Sequence, residues 1–196
     1  MISTFTAFFD ANVFYGARLR SLVVFAAQTK LFRARWSNTV HDEWVRNLLK
    51  NRSDLKAEDL IRTRECMNAA VPDCIVTGFE PLMGCLDLPD EDDRHVVAAA
   101  IMTRANVVVT FNLQHFPNET MERFRIHTKH PDEFLMDAFS LGTNEMAEAV
   151  INDFLHYDRP PLTFDDYREG LAKAGVPNFA KTIEPFEILV KQDPAE

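Results

Sequence analysis

Leu88-Pro89-Asp90-Glu91-Asp92-Asp93-Arg94-His95-Val96-Val97-Ala98-Ala99-Ala100-Ile101, followed by Val107-Val108-Val109-Thr110 and then Asn112, is the stretch that decides the fold. Four carboxylates ahead of an apolar run read as a helix start, with the helix running to about Arg104. The short β-branched run reads as a buried strand. Adjacent carboxylates repel one another, and either a helix N-terminus or a divalent cation can neutralise them. The helix dipole acts only over the first turn, so one helix start does not offset four acids.

Working outward, Phe5 to Phe9 is an apolar run that ends at Asp10 and reads as a second buried strand. A helix is expected from about Tyr15 to Lys30. Asn38-Thr39 offers N-cap chemistry for another helix through Lys50, on which Val40, Glu43, Trp44, Asn47 and Leu48 share a face. A further helix spans roughly Ala57 to Ala70 after Ser53-Asp54, and Cys74-Ile75-Val76 is a short strand. Past the break at Phe116-Pro117, Arg125-Ile126-His127 reads as a last strand and Pro131 opens another helix. Helices alternating with short apolar strands predict an α/β sandwich with a mainly parallel sheet. From Gly142 onward strand signals stop. Helices are expected over Asn144 to His156 (ended by Arg159-Pro160-Pro161), from Thr163 to near Gly175, and from Pro177 to Val190. These patterns divide the chain into residues 1–141 and a helical segment, 142–196.

Composition narrows the function class. A net charge of -9 argues against a general nucleic-acid coat protein, yet basic residues outnumber acids nine to five between Lys30 and Arg64. Sixteen Phe against three Tyr favour rings that pack rather than hydrogen-bond. Cys66, Cys74 and Cys85 lack metal-ligand spacing and read as reduced thiols. The opening Met1-Ile2-Ser3-Thr4-Phe5 has no basic leader, and no apolar run reaches membrane-span length, so the expected location is the cytoplasm, without a membrane.

A parallel α/β sheet gathers its ligand site at the carboxyl ends of its strands. Asp10 and Asn112 follow two such strands, and Asp93 and Glu43 can complete a ring on adjacent helices. Several carboxylates at one edge suit Mg²⁺ or Mn²⁺, hard cations that prefer oxygen ligands and can activate water against a phosphodiester. Each residue also has an ordinary alternative. Asp10 can form a turn, Glu43 can pair with Arg46 or Lys50 on a solvated face, Asp90 to Asp93 can cap a helix, and Asn112 can be a loop residue. The six histidines show no H-E-x-x-H or zinc-finger spacing, and His95 is assigned a surface or supporting role. No G-x-S-x-G, P-loop or G-x-G-x-x-G occurs.

Phe8-Phe9-Asp10-Ala11-Asn12-Val13-Phe14, the acidic stretch from Leu88 to Ala100, and Val107-Val108-Val109-Thr110-Phe111-Asn112-Leu113-Gln114-His115-Phe116-Pro117 resemble the motifs of bacterial PIN-domain proteins of the VapC toxin type. The resemblance covers about residues 5 to 135, and the tail from about 142 resembles the extra segment of some longer members. It implies a Rossmann-like α/β/α fold and a Mg²⁺- or Mn²⁺-dependent endoribonuclease. Mapped by motif, Asp10, Glu43 and Asp93 form the metal-site trio, with Asn112 at the fourth catalytic position and Asp90 and Asp92 as neighbouring alternatives. Asn112 departs from the Asp often found there, which lowers the charge of the site. Arg35, Arg46 and Lys50 are candidate RNA contacts. The resemblance also implies an RNA substrate, a cognate antitoxin and a homodimer. Two other readings stand beside it: a PIN fold that binds without turnover, and a haloacid-dehalogenase-type phosphatase. The phosphatase needs a second Asp where this chain has Asn12.

Overall fold

The structure is a computed structural model that describes residues 5–157 and 160–191. The Met1-Ile2-Ser3-Thr4 opening and Arg159 of the predicted helix break lie outside the described residues. Two compact units are present, Met1–Tyr15 with Phe32–His130, and Gly16–Leu31 with Pro131–Glu196.

The first unit is built on a five-stranded, all-parallel sheet in the order β3-β2-β1-β4-β5. β1 (Thr6–Phe9) and β4 (Val107–Val109) lie side by side, with Phe8 opposite Val108. Both are buried along their whole length, as parallel strands covered on two faces must be. β2 (Arg33–Ser37) and β3 (Ile75–Val76) continue on one side of β1, and β5 (His127–Lys129) lies beyond β4. The strand order therefore reverses between β1 and β4. The crevice at such a reversal is where an open α/β sheet receives its ligand.

In chain order the helices are α1 (Ala17–Gln28), α2 (Asn38–Asn51), α3 (Ala57–Ala70), α4 (Glu80–Met83), α5 (Arg94–Met102) and α6 (Asn118–Glu122). Then follow α7 (Pro131–Leu141), α8 (Thr143–Leu155), α9 (Phe164–Lys173), α10 (Pro177–Thr182) and α11 (Glu187–Lys191). Within the first unit α5 packs on β1 and β4 through the fully buried Val96, Val97 and Ala100, while α2 packs on β2 and α3. The α/β fold with C-terminal helices is present as the sequence predicts.

Several local expectations differ. β2 was not foreseen: Arg33 and Arg35 alternate with the buried Ala34 and Trp36, and two arginines in five residues mask the strand pattern. The N-cap of α2 is Ser37, whose hydroxyl accepts from Val40 N at 3.2 Å, rather than Asn38 or Thr39. The acidic run forms a 3-10 turn, Glu91–Asp93, ahead of α5, and α5 stops at Met102, before the positive-φ Arg104. The last strand lies two residues later than expected, after the positive-φ Arg125. The segment from Pro177 is not continuous: it breaks at Ile183 and resumes as a 3-10 turn, Glu184–Phe186, because Pro185 supplies no N–H and disfavours helical backbone at Glu184.

The second unit is built of helices, with no strand among the described residues. α1 packs on α8 and α9, and α7 packs on α8 and α10, so contacts divide the chain at His130/Pro131 and carry α1 into this unit. The boundary expected at 142 falls between α7 and α8. There a Cβ on Gly142 would press on the ends of the Leu31 and Glu145 side chains, which would have to move aside. The buried Asp153 accepts from Ser21 Oγ (2.5 Å) and Tyr167 OH (2.6 Å), linking α8 to α1 and α9, and burial pushes its carboxyl up to about 6. Thr163 and Asp166 form a reciprocal capping box at the start of α9.

Asp132 of α7 caps α10 from outside that helix. Its Oδ1 accepts from Phe179 N (2.8 Å), and its Oδ2 accepts from Asn178 N (3.1 Å) and Nδ2 (2.8 Å). Asp132→Ala leaves two helix-terminal N–H groups without this acceptor and should cost about 2–4 kcal/mol, read as a lowered thermal midpoint. A variant as stable as the parent would show that solvent replaces those bonds.

Candidate functional site

The carboxyl ends of β1 and β4 are joined by a hydrogen-bonded knot. Asp10 Oδ1 accepts from Ala11 N (2.6 Å), and Asp10 Oδ2 accepts from the Thr110 hydroxyl (2.6 Å) and Asn12 Nδ2 (2.6 Å). Asn12 Oδ1 in turn accepts from Phe111 N (3.1 Å), and Thr110 Oγ1 accepts from Asn112 N (3.0 Å). Each strand end is thereby fixed by the other, with Asp10 only 2% exposed.

An open cleft of about 330 Å³ lies at this point, and Asp10, Glu43, Asp93 and Asn112 all line it, together with Trp44 and Asn47. The four residues singled out as catalytic candidates are thus gathered, although 33 or more residues separate the first from the rest in sequence. Glu43 is not on a solvated face paired with Arg46 or Lys50. Its Oε2 lies 3.3 Å from Nε2 of the buried His95, which ties α2 to α5. Asp93 stands at the N-cap position of α5 but makes no capping bond. Its Oδ2 lies 2.7 Å from His115 Nδ1. Asp90 does the capping instead, accepting from Asp92 N at 3.0 Å.

Electrostatics mark the cleft as short of positive charge. Burial pushes the Asp10 carboxyl up to about 6, the Thr110 hydrogen bond opposes this, and the nearby charges of Asp93 and Glu43 add to it. Asp93 is also raised, first by burial, against the pull of His115 and with the push of Asp90 and Glu43. No Lys or Arg lines the cleft among the described residues. Crowded oxygen donors with uncompensated charge fit a hard divalent cation. A second donor set, Asp90, Asp93 and His115, has ligand atoms within 4.8 Å of one another. The two sets share Asp93, which stands between the cleft and His115.

Of the other candidates, Asp90 belongs to this second set, and Asp92 lines neither. Arg46 and Lys50 are exposed on α2, the helix that carries Glu43, while the Arg35 guanidinium donates to the Asp73 carbonyl. The sequence reading missed His115, Thr110 and the contact of His95. His115 follows Asn112 by three residues, a spacing that turns it back across a 3-10 turn (Leu113–His115) toward Asp93. A search for paired zinc histidines does not see that spacing.

Comparison with known proteins supplies independent likenesses. Residues 131–185 match the family model described as "VapC50 C-terminal domain", which begins where the second unit resumes after β5. The chain is 43% identical over 88 residues to a protein of Mycobacterium tuberculosis (strain ATCC 25618 / H37Rv) named "Putative ribonuclease VapC50". That match covers 45% of this chain and 52% of the relative, so the chain spans about half the length of the curated relative it matches. No solved structure matches the chain.

Proposed function

We propose that this chain, a PIN-domain protein of the VapC type, is a divalent-metal-dependent endoribonuclease and the toxin of a type II toxin–antitoxin pair. The observation that carries the reading is the convergence of Asp10, Glu43 and Asp93 on one cleft at the strand-order reversal. The name of the relative agrees with it.

Asp10, Glu43 and Asp93 would hold Mg²⁺ or Mn²⁺. The ion, when bound, supplies Lewis-acid stabilisation of phosphate charge and makes a water more acidic. The chain's own residues do the positioning. Thr110 and Asn12 fix the Asp10 carboxylate, so it has no rotamer freedom to lose on binding a cation or substrate. His115 and His95 do the same for Asp93 and Glu43. Asn112 offers an uncharged amide where phosphate must approach, which lessens anionic repulsion at the edge of the cleft. Arg46 and Lys50 provide phosphate contacts from the exposed side of α2. In this reading the partners are RNA and an antitoxin, the toxin acts as a homodimer, and the site of action is the cytoplasm. Among the described residues no helix is long and apolar enough to cross a membrane.

Purified protein incubated with structured RNA tests the reading: cleavage in Mn²⁺ that stops with EDTA is expected. Metal binding without cleavage of any RNA would instead favour a PIN fold that binds without turnover, the reading that the neutral Asn112 supports.

Protonation gives a second expected result. Asp10 carries a folded-state value near 6 against 3.8, so its ionisation opposes folding. That stability is full below about pH 4 and is lost as pH rises through about 6. A cation held by the ionised carboxylates reverses the penalty, so Mn²⁺ should raise the thermal midpoint strongly at pH 7.5 and hardly at pH 5. Its apparent affinity should fall about tenfold per pH unit below about 6. Calorimetric titration at several pH values measures this; a pH-independent affinity would contradict ligation by Asp10.

A further inference from the structure

We propose that a hollow beside the cleft, lined by Leu113, Gln114, Phe116, Pro117, Asn118 and Thr128, receives one nucleobase of a single-stranded RNA. The inference rests on the nuclease reading of the adjoining cleft and names what selects its substrate.

The hollow has a volume of about 410 Å³, within the range of small-ligand pockets. It is formed where three elements of the first unit converge: the 3-10 turn Leu113–His115, the start of α6, and β5. Asn112 lines the cleft, and the next residue, Leu113, lines the hollow. The 3-10 turn that begins at Leu113 therefore borders both spaces.

The lining chemistry selects the occupant. Leu113, Phe116 and Pro117 are apolar, and Leu113 keeps 41% of its surface exposed at the rim. Gln114, Asn118 and Thr128 are neutral hydrogen-bonding groups, and none of the six residues is charged. A phosphate lacks a cation here, and a metal ion lacks a carboxylate. A flat, uncharged heterocycle with donors and acceptors on its edge suits both the apolar walls and the amides. Sequence-selective RNA binding works in this way, with splayed bases packed on side chains and read along their edges.

The test uses the full chain, its Gln114→Ala and Asn118→Ala variants, and two readouts. Cut sites are mapped on a random-sequence RNA in Mn²⁺, and dissociation constants are measured for the four homopolymeric RNA hexamers in Ca²⁺. The parent should favour one base at one position beside the cut, and one hexamer over the others, by about tenfold or more. Both variants should flatten these preferences to within about threefold while total cleavage stays within about threefold of the parent. A parent that cuts with preferences unmoved by either variant overturns the pocket and leaves the nuclease standing. A parent that cuts nothing but shows a variant-sensitive spread in hexamer binding overturns the nuclease reading and keeps the pocket. A parent that binds all four hexamers equally, or none, overturns the pocket.

Discussion

Asp10→Asn is expected to lower RNA cleavage by a factor on the order of 10²–10³, the scale seen when one preorganised charge-stabilising group is removed. The substitution keeps the size of the side chain and replaces one acceptor oxygen with an amide. Oδ1 can still accept from Ala11 N, but Thr110 Oγ1 already accepts from Asn12 Nδ2 (2.9 Å) and Asn112 N (3.0 Å) and has no lone pair left for the new amide. The Thr110 hydroxyl and Asn12 Nδ2 then both meet a donor where an acceptor stood. The variant also removes a buried carboxyl whose ionisation opposes folding, which offsets the lost hydrogen bonds, so its thermal midpoint should fall by no more than a few degrees. Activity is lost while the fold persists, and that combination separates a reacting-site role from a structural one. Asp93→Asn should behave alike. Cleavage within about threefold of the parent in both variants would remove these carboxylates from the reaction.

Trp44→Ala should have the largest effect on stability, about 3–5 kcal/mol. The indole is fully buried in α2, and its Nε1–H donates to His41 Nδ1 at 2.9 Å. His41 must therefore carry its proton on Nε2, which lies 2.9 Å from Asn68 Oδ1. The same oxygen accepts from Trp36 Nε1 at 2.9 Å, so β2, α2 and α3 meet on one amide. Burial holds the His41 ring down to about 4, neutral at physiological pH, as the relay requires. Truncation leaves a cavity beside Glu43 and orphans His41 Nδ1, and the midpoint should fall by about 10 °C or more. Trp44→Phe keeps most of the volume and should cost about 1–2 kcal/mol for the missing donor. An alanine variant within about 1 kcal/mol of the parent would mean that the relay does not hold α2 in place.

Much of the fold was legible because burial on both faces leaves a plain signature. β4 and most of β1 and α5 are apolar runs, and Asp10 after β1 and the acids before α5 mark the sheet edge. β2 was hidden because Arg33 and Arg35 project from a strand whose alternate residues, Ala34 and Trp36, are too few to set a period. The membership of α1 was illegible for a different reason. Periodicity shows that a helix has a buried face but not what covers it, and α1 packs on α8 and α9, far along the chain. At the site, charge was readable and support was not. Thr110 and Asn12 look like ordinary strand-end residues until β1 and β4 are placed side by side. His115 gains its contact with Asp93 only through a 3-10 turn that no periodicity announces. The acidic run divides its work in the structure: Asp90 caps the turn, and Asp93, released from capping, faces the cleft.

The central claim is that Asp10, Glu43 and Asp93 together hold a divalent cation. Anomalous diffraction from crystals grown with Mn²⁺ tests it most directly. The account predicts a peak in the cleft with carboxylate oxygens of Asp10 and Asp93 about 2.0–2.3 Å away. A peak held only by Asp90 and His115, or no peak at a saturating concentration, would contradict it.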